Sequence, residues 1–205
     1  MQITTLFWDL GGVLLSNGWD REQRSRAVEH FGLNAEDFED RHREIVTTLE
    51  TGRTSLDVYL HATVFSEPRS FSPAQFRDFM LSQSQPFEES LQVLAELSRG
   101  GRYTMATVNN ESHELNAYRI GRFRLHRHFR AFFCSAFLGV TKPDPSIYRI
   151  ALEVLQRAPG EVLFIDDRLQ NLEPARALGM QTLHYRGEDG GVVLRQRLTA
   201  SGVAV

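Results

Sequence analysis

Thr4-Thr5-Leu6-Phe7-Trp8-Asp9-Leu10-Gly11-Gly12-Val13-Leu14 is an apolar run, short enough for one buried strand, that stops abruptly on a carboxylate and two glycines. A buried run tolerates an aspartate only at its mouth, where water or a cation compensates the charge. The glycines let the backbone turn tightly and bring N–H groups close to a ligand. Alone, the stretch reads equally well as a strand and an ordinary turn. The residues downstream decide the fold.

From about residue 16 to 86 only helical patterns occur. Asn34 reads as an N-cap, and Phe38, His42, Ile45 and Leu49 then share one face until Gly52. Thr54 starts another helix, Ser72-Pro73 opens a third in cap-then-proline order, and an earlier one spans about Asp20 to Phe31. From Phe87 onward helices alternate with strands near Tyr103–Val108, Ala131–Ser135, Val162–Ile165 and Thr182–Tyr185. Such alternation indicates a parallel sheet covered on both faces. The expected class is therefore α/β: a Rossmann-like parallel sheet with helices on both faces, from residues 1–15 and 87–205, and an all-helical domain, residues 16–86, inserted after the first strand. Ligands of such sheets bind beyond the carboxyl ends of the strands.

Composition narrows the setting. The 205 residues are 41% hydrophobic, enough for a core, and the net charge of −3 argues against a nucleic-acid or anionic-membrane binder. No apolar run reaches membrane-spanning length. The one cysteine, Cys134, excludes an internal disulfide and suits a reducing, cytoplasmic location. A monomer or homodimer is expected. The stretch Tyr118–Arg130 mixes basic and aromatic residues, but its place between a helix and a strand makes it a solvated structural face. His113 and His184 read as ordinary histidines. Among 23 basic residues Lys142 is the only lysine, and it sits in a Pro-rich loop. A chain so biased to arginine keeps lysine where a compact ammonium is needed.

The polar residues at the strand ends form a set. The first strand ends on Asp9, the next on Asn109-Asn110, another leads to Lys142, and Val162-Leu163-Phe164-Ile165 ends on Asp166-Asp167. Each alone is a cap or turn residue; together they converge on one sheet edge. Three carboxylates there repel one another unless a divalent cation or the lysine neutralises them, and hard oxygen ligands suit Mg²⁺.

These pieces resemble the haloacid dehalogenase-like (HAD) superfamily over nearly the full length. The matching residues are Phe7–Leu14, Val108-Asn109-Asn110, Lys142-Pro143 and the run Phe164–Met180. The branch most similar contains sugar-phosphate phosphatases and the phosphatase domain of soluble epoxide hydrolases. The resemblance implies a helical cap over the site and a Mg²⁺-dependent phosphatase of a small phosphorylated metabolite. Asp9 would be the nucleophile that forms an aspartyl-phosphate. Mg²⁺ would be held by Asp9, the Gly11 carbonyl and Asp166 or Asp167. Lys142 would offset charge, and Gly11, Gly12, Asn109 and Asn110 would bind phosphate oxygens.

Two departures stand out. The family's usual general acid lies two residues after the nucleophile, where this chain has Gly11. Its usual hydroxyl in the second motif is Val108, with Thr107 aimed at the opposite face. General acid catalysis contributes roughly 10²–10⁴-fold. A catalytically weak binding protein, or a 2-haloacid dehalogenase whose halide needs no acid, are the alternatives.

Overall fold

A computed structural model describes residues 2–205. Strand β1 (Thr5–Trp8) is followed by helices α1 (Arg21–Phe31), α2 (Ala35–Glu50), α3 (Leu56–Thr63), α4 (Pro73–Ser82) and α5 (Glu88–Gly100). Then come β2 (Thr104–Asn109), α6 (His113–Arg122), β3 (Ala131–Cys134), α7 (Ser135–Leu138) and α8 (Pro145–Leu155). The chain closes with β4 (Val162–Asp166), α9 (Leu169–Ala177), β5 (Gln181–His184) and α10 (Gly190–Ala200). The five strands form one sheet in the order β3-β2-β1-β4-β5, and every pair is parallel. The strand order reverses beside β1, so the crevice such sheets use for ligands opens where Asp9 follows β1.

Alternation along the strands divides the core. Leu6, Trp8, Met105, Leu163 and Ile165 face α5 and α10, packing on Val93, Leu94, Leu97, Leu194 and Leu198. Phe7, Ala106, Val108, Val162 and Phe164 face α8 and α9, packing on Ile147, Tyr148, Ala151, Leu172 and Ala175. Both faces are covered, so β1 and β4 are buried throughout.

Helices α1–α4 enclose an apolar cluster of their own around Phe38, Leu56, Tyr59, Leu60, Phe76 and Met80, to which α6 adds Leu115. Asn34 caps α2 and Ser72 caps α4 through their side chains, as their sequence setting predicts. The cap of α3 is Ser55 rather than Thr54, whose hydroxyl instead donates to Thr48 Oγ1. Helix α9 begins at Leu169, where Asp166 Oδ1 accepts the Arg168 N–H at 2.8 Å and orders the turn. Helix α10 is unanticipated: it opens on Gly190-Gly191, which are poor helix formers.

The two passages between the sheet and α1–α4 run side by side. Ser16 N–H donates to Gln85 O at 2.7 Å, Phe87 N–H donates to Leu14 O at 3.0 Å, and Ser16 Oγ donates to Gln83 O at 2.9 Å. They cross as one paired ribbon.

Candidate active site

The strand ends bring Asp9, Lys142 and Asp166 into direct contact. Lys142 Nζ lies 2.9 Å from Asp9 Oδ1 and 2.7 Å from Asp166 Oδ2. A 5%-exposed ammonium is tolerable only because it has both carboxylates. Burial works to lower the Lys142 pKa, but Asp166 and Asp9 more than offset it and hold it above the ordinary value. Burial pushes the Asp9 carboxyl up to about 6, with Lys142 pulling it down and Asp166 and Asp167 adding to the rise.

Asp166 and Asp167 are neighbours with opposite surroundings. Asp166 is fully buried and saturated: besides Lys142 it accepts from Arg168 N–H at 2.8 Å and from Asn171 Nδ2 at 3.0 and 3.1 Å. Asp167 Oδ1 is buried and has no hydrogen-bond partner. Oxygens of Asp9, Asp166 and Asp167 lie within 4.8 Å of one another. An orphaned buried carboxylate oxygen in such a trio costs free energy unless a cation meets it, so these hard oxygens fit a small divalent ion. Gly12 makes room for the Asp167 carboxylate: with φ at +75°, a Cβ there would lie 2.3 Å from Asp167 Oδ2. His184 has a role the sequence hid, its ring nitrogen lying 2.8 Å from Asp167 O.

Three residues expected to bind phosphate also have partners within the fold. The Gly12 N–H donates to Leu15 O at 2.7 Å, which closes the turn, so Gly12 contributes space rather than a donor. Asn110 accepts from Lys142 N–H at 2.7 Å and donates to Lys142 O at 2.9 Å, so it clamps the lysine's backbone. The Asn109 amide donates to Asn116 Oδ1 at 3.2 Å, which leaves its buried Oδ1 without a partner. Val108 packs in the apolar layer, and the Thr107 hydroxyl is buried without a partner.

Asp9, Asn109, Asn110, Lys142 and Asn171 line a polar pocket of about 150 Å³, with Gly11, Asn17, Trp19, Asp20, Glu50, Glu111, Arg119 and Arg168 on its other walls. The basic–aromatic stretch is not wholly solvated: Arg119 is 2% exposed. It donates from Nε to Ser84 Oγ at 3.0 Å and from Nη2 to Ser16 O at 2.8 Å, and Nη1 meets Glu111 Oε2 at 2.9 Å. Burial pushes the Glu111 carboxyl up to about 7, against Arg119 and helped by Glu50 and Asp9. The pattern offered one clue: Asn116 and Arg119, three apart on α6, fall on the side that carries Leu115. Trp19 is set by a neutral chain in which its Nε1 donates to Tyr59 Oη at 2.7 Å, and Tyr59 Oη lies 2.8 Å from His42 Nδ1. Burial holds His42 neutral beside Tyr59, its pKa lowered to about 4. At the rim Arg168 pairs with Asp20 at 2.6 Å.

Residues 3–179 match the family model described as haloacid dehalogenase-like hydrolase. The chain belongs to the HAD-like hydrolases. Beyond the family model, this HAD-like chain is 28% identical over 222 residues to bifunctional epoxide hydrolase 2 of Sus scrofa, an alignment spanning 99% of the chain and 40% of that protein. It covers 25% of the Rattus norvegicus counterpart at 31% identity, so it spans well under half the length of these relatives. Among solved structures, a HAD family enzyme of Bacteroides thetaiotaomicron in complex with magnesium and inorganic phosphate superposes with a TM-score of 0.75 at 23% identity, covering 94% of this chain and 98% of that one. The L-2-haloacid dehalogenase of Xanthobacter autotrophicus superposes at 0.64 with 19% identity, covering 100% and 85%. Both show the α/β fold with its helical insert. No helix among the described residues is long and apolar enough to cross a membrane.

Proposed function

We propose that this HAD-like hydrolase is a Mg²⁺-dependent phosphatase of a small phosphorylated metabolite, acting through an aspartyl-phosphate on Asp9. The observation that carries the reading is the trio Asp9, Asp166 and Asp167, in which Asp167 Oδ1 is buried without a partner. Asp9, the Gly11 carbonyl and Asp167 would hold the ion, while Asp166, engaged by Lys142, Arg168 N–H and Asn171, supports from behind. Bound there, Mg²⁺ neutralises and orients the phosphoryl oxygens.

Lys142 occupies Asp9 Oδ1 and so orients the carboxylate with its second oxygen toward the pocket. That oxygen attacks phosphorus in line as the ester oxygen departs; water then cleaves the acyl phosphate. The ammonium stabilises charge as it moves between Asp9 and the phosphoryl oxygens. Residues 16–86 act as the cap that closes over the pocket and selects the substrate. The neighbour in complex with magnesium and inorganic phosphate supports this reading. The net charge of −3 and the single buried Cys134 support a cytoplasmic protein, monomeric or dimeric, that binds neither nucleic acid nor membrane.

The test is phosphate release from a panel of phosphate esters, with Mg²⁺ and with EDTA, using Asp9→Asn as control. Expected is Mg²⁺-dependent release that falls by at least about 10³-fold in the variant. Equal release by the variant, or none from any ester, overturns the proposal. Gly11 offers no acid, which also suits halide release; chloride from 2-chloropropionate in EDTA would establish that chemistry instead.

A further inference from the structure

We infer that Glu111, held by Arg119, is the proton-transfer residue of this site, supplied from the end of β2 in place of the side chain that Gly11 lacks. The inference rests on the phosphatase reading above. A Cβ added at Gly11 would point at Asn17 Oδ1, 3.0 Å away, and at Arg119 Nη1, 3.6 Å away. That same Nη1 holds Glu111 Oε2 at 2.9 Å. A side chain at position 11 would thus be directed toward the ion pair, in which Glu111 supplies a carboxylate.

Several features fix it there. Glu111 N–H donates to Ser135 Oγ at 3.0 Å, which anchors its backbone just past β2. Gly18 lets the guanidinium pass, since a Cβ there would lie 2.5 Å from Arg119 Nη2. The side chain is 11% exposed and lines the pocket that contains Asp9, with Glu50 as the other acidic wall. Glu111 sits outside the cation trio, so its carboxylate is not consumed by metal holding and lines the pocket that Asp9 shares.

The proton balance closes over the two steps. In the first, the Asp9 oxygen–phosphorus bond forms, the ester oxygen–phosphorus bond breaks, and the Glu111 carboxyl gives its proton to the departing oxygen. In the second, Glu111 carboxylate takes a proton from water as that oxygen attacks phosphorus. The Asp9–phosphorus bond breaks, phosphate leaves, and Glu111 is again protonated.

Glu111→Gln separates the steps. With p-nitrophenyl phosphate, whose leaving group departs as an anion, the variant gives a burst equal to the enzyme concentration. Its subsequent steady rate is roughly 10²-fold below wild type, as phospho-Asp9 accumulates. With ethyl phosphate, whose alkoxide needs a proton, the first turnover itself falls by about 10². Gly11→Asp in the Glu111→Gln background returns a carboxyl beside Arg119, needs only the Asn17 side chain to shift, and restores at least about tenfold of the ethyl phosphate rate. Wild-type rates on both esters in Glu111→Gln, or equal loss on both with no burst and no rescue, overturn the inference while leaving the phosphatase reading intact. A wild type inactive on every ester removes both.

Discussion

The floor and the roof of the pocket are both built from buried polar groups, yet they are held by different physics. The floor is ionic: Lys142 is shared between Asp9 and Asp166, and Asn171 and Arg168 N–H complete Asp166. The roof is neutral, running from Trp19 through Tyr59 to His42. Parallel strands end with their last residues side by side, so opposite charges from three segments can meet there and compensate. In the helical insert Trp19, Tyr59 and His42 instead satisfy one another as dipoles. The floor can therefore move charge, whereas the roof can only shape and position.

The largest break in that comparison should come from Lys142→Met. It leaves Asp9 and Asp166 buried and uncompensated, at a cost of about 3–5 kcal/mol, and phosphatase turnover should vanish with it. Thermal melting checks this; at roughly 2–4 °C per kcal/mol the expected drop is near 10 °C. An unchanged Tm would mean the floor is not held by charge. Next comes Tyr59→Phe, which strips partners from Trp19 Nε1 and His42 Nδ1 and should cost about 1–3 kcal/mol. Its kcat should stay within about threefold while KM rises, since the roof contributes position only. A kcat loss matching that of Lys142→Met would erase the distinction.

Acid should find the roof through His42. The unfolded chain protonates this residue near its ordinary value of 6.5, but the folded one resists until about 4. Between those values the unfolded state binds more protons, so stability falls as pH falls. Wild type should lose a few degrees of Tm over that interval beyond what His42→Gln loses, about 3 °C for each kcal/mol involved. Identical pH curves for the two proteins would refute the neutral roof. The smallest effect belongs to the rim pair, where Asp20→Asn should change stability by less than about 1 kcal/mol because both partners are half-exposed. Its mark should be a modest, salt-sensitive change in KM.

The sheet, the helical insert and the floor are legible because each depends on local sequence. Asp9, Lys142 and Asp166-Asp167 lie where an apolar run or a Pro-rich loop stops, so the residue type and its place in the pattern coincide. The two aspartates cannot be told apart from sequence, since the difference lies in Asn171 and Arg168 N–H, which reach Asp166 through the turn into α9. The backbone partners of Asn110 and Gly12 are hidden for a related reason: only the fold supplies them. Arg119 and Glu111 are hidden further. An arginine in a basic stretch looks solvated, and its burial depends on Ser16 and Ser84 arriving from distant parts of the chain.

That last contact makes the connection between sheet and insert stiffer than a pair of loops. One guanidinium is bolted to the outgoing passage at Ser16, the returning passage at Ser84 and the carboxylate of Glu111. The joint resembles an axle with a cam on it: a rotation of the insert about the crossing would be delivered to the Glu111 side chain.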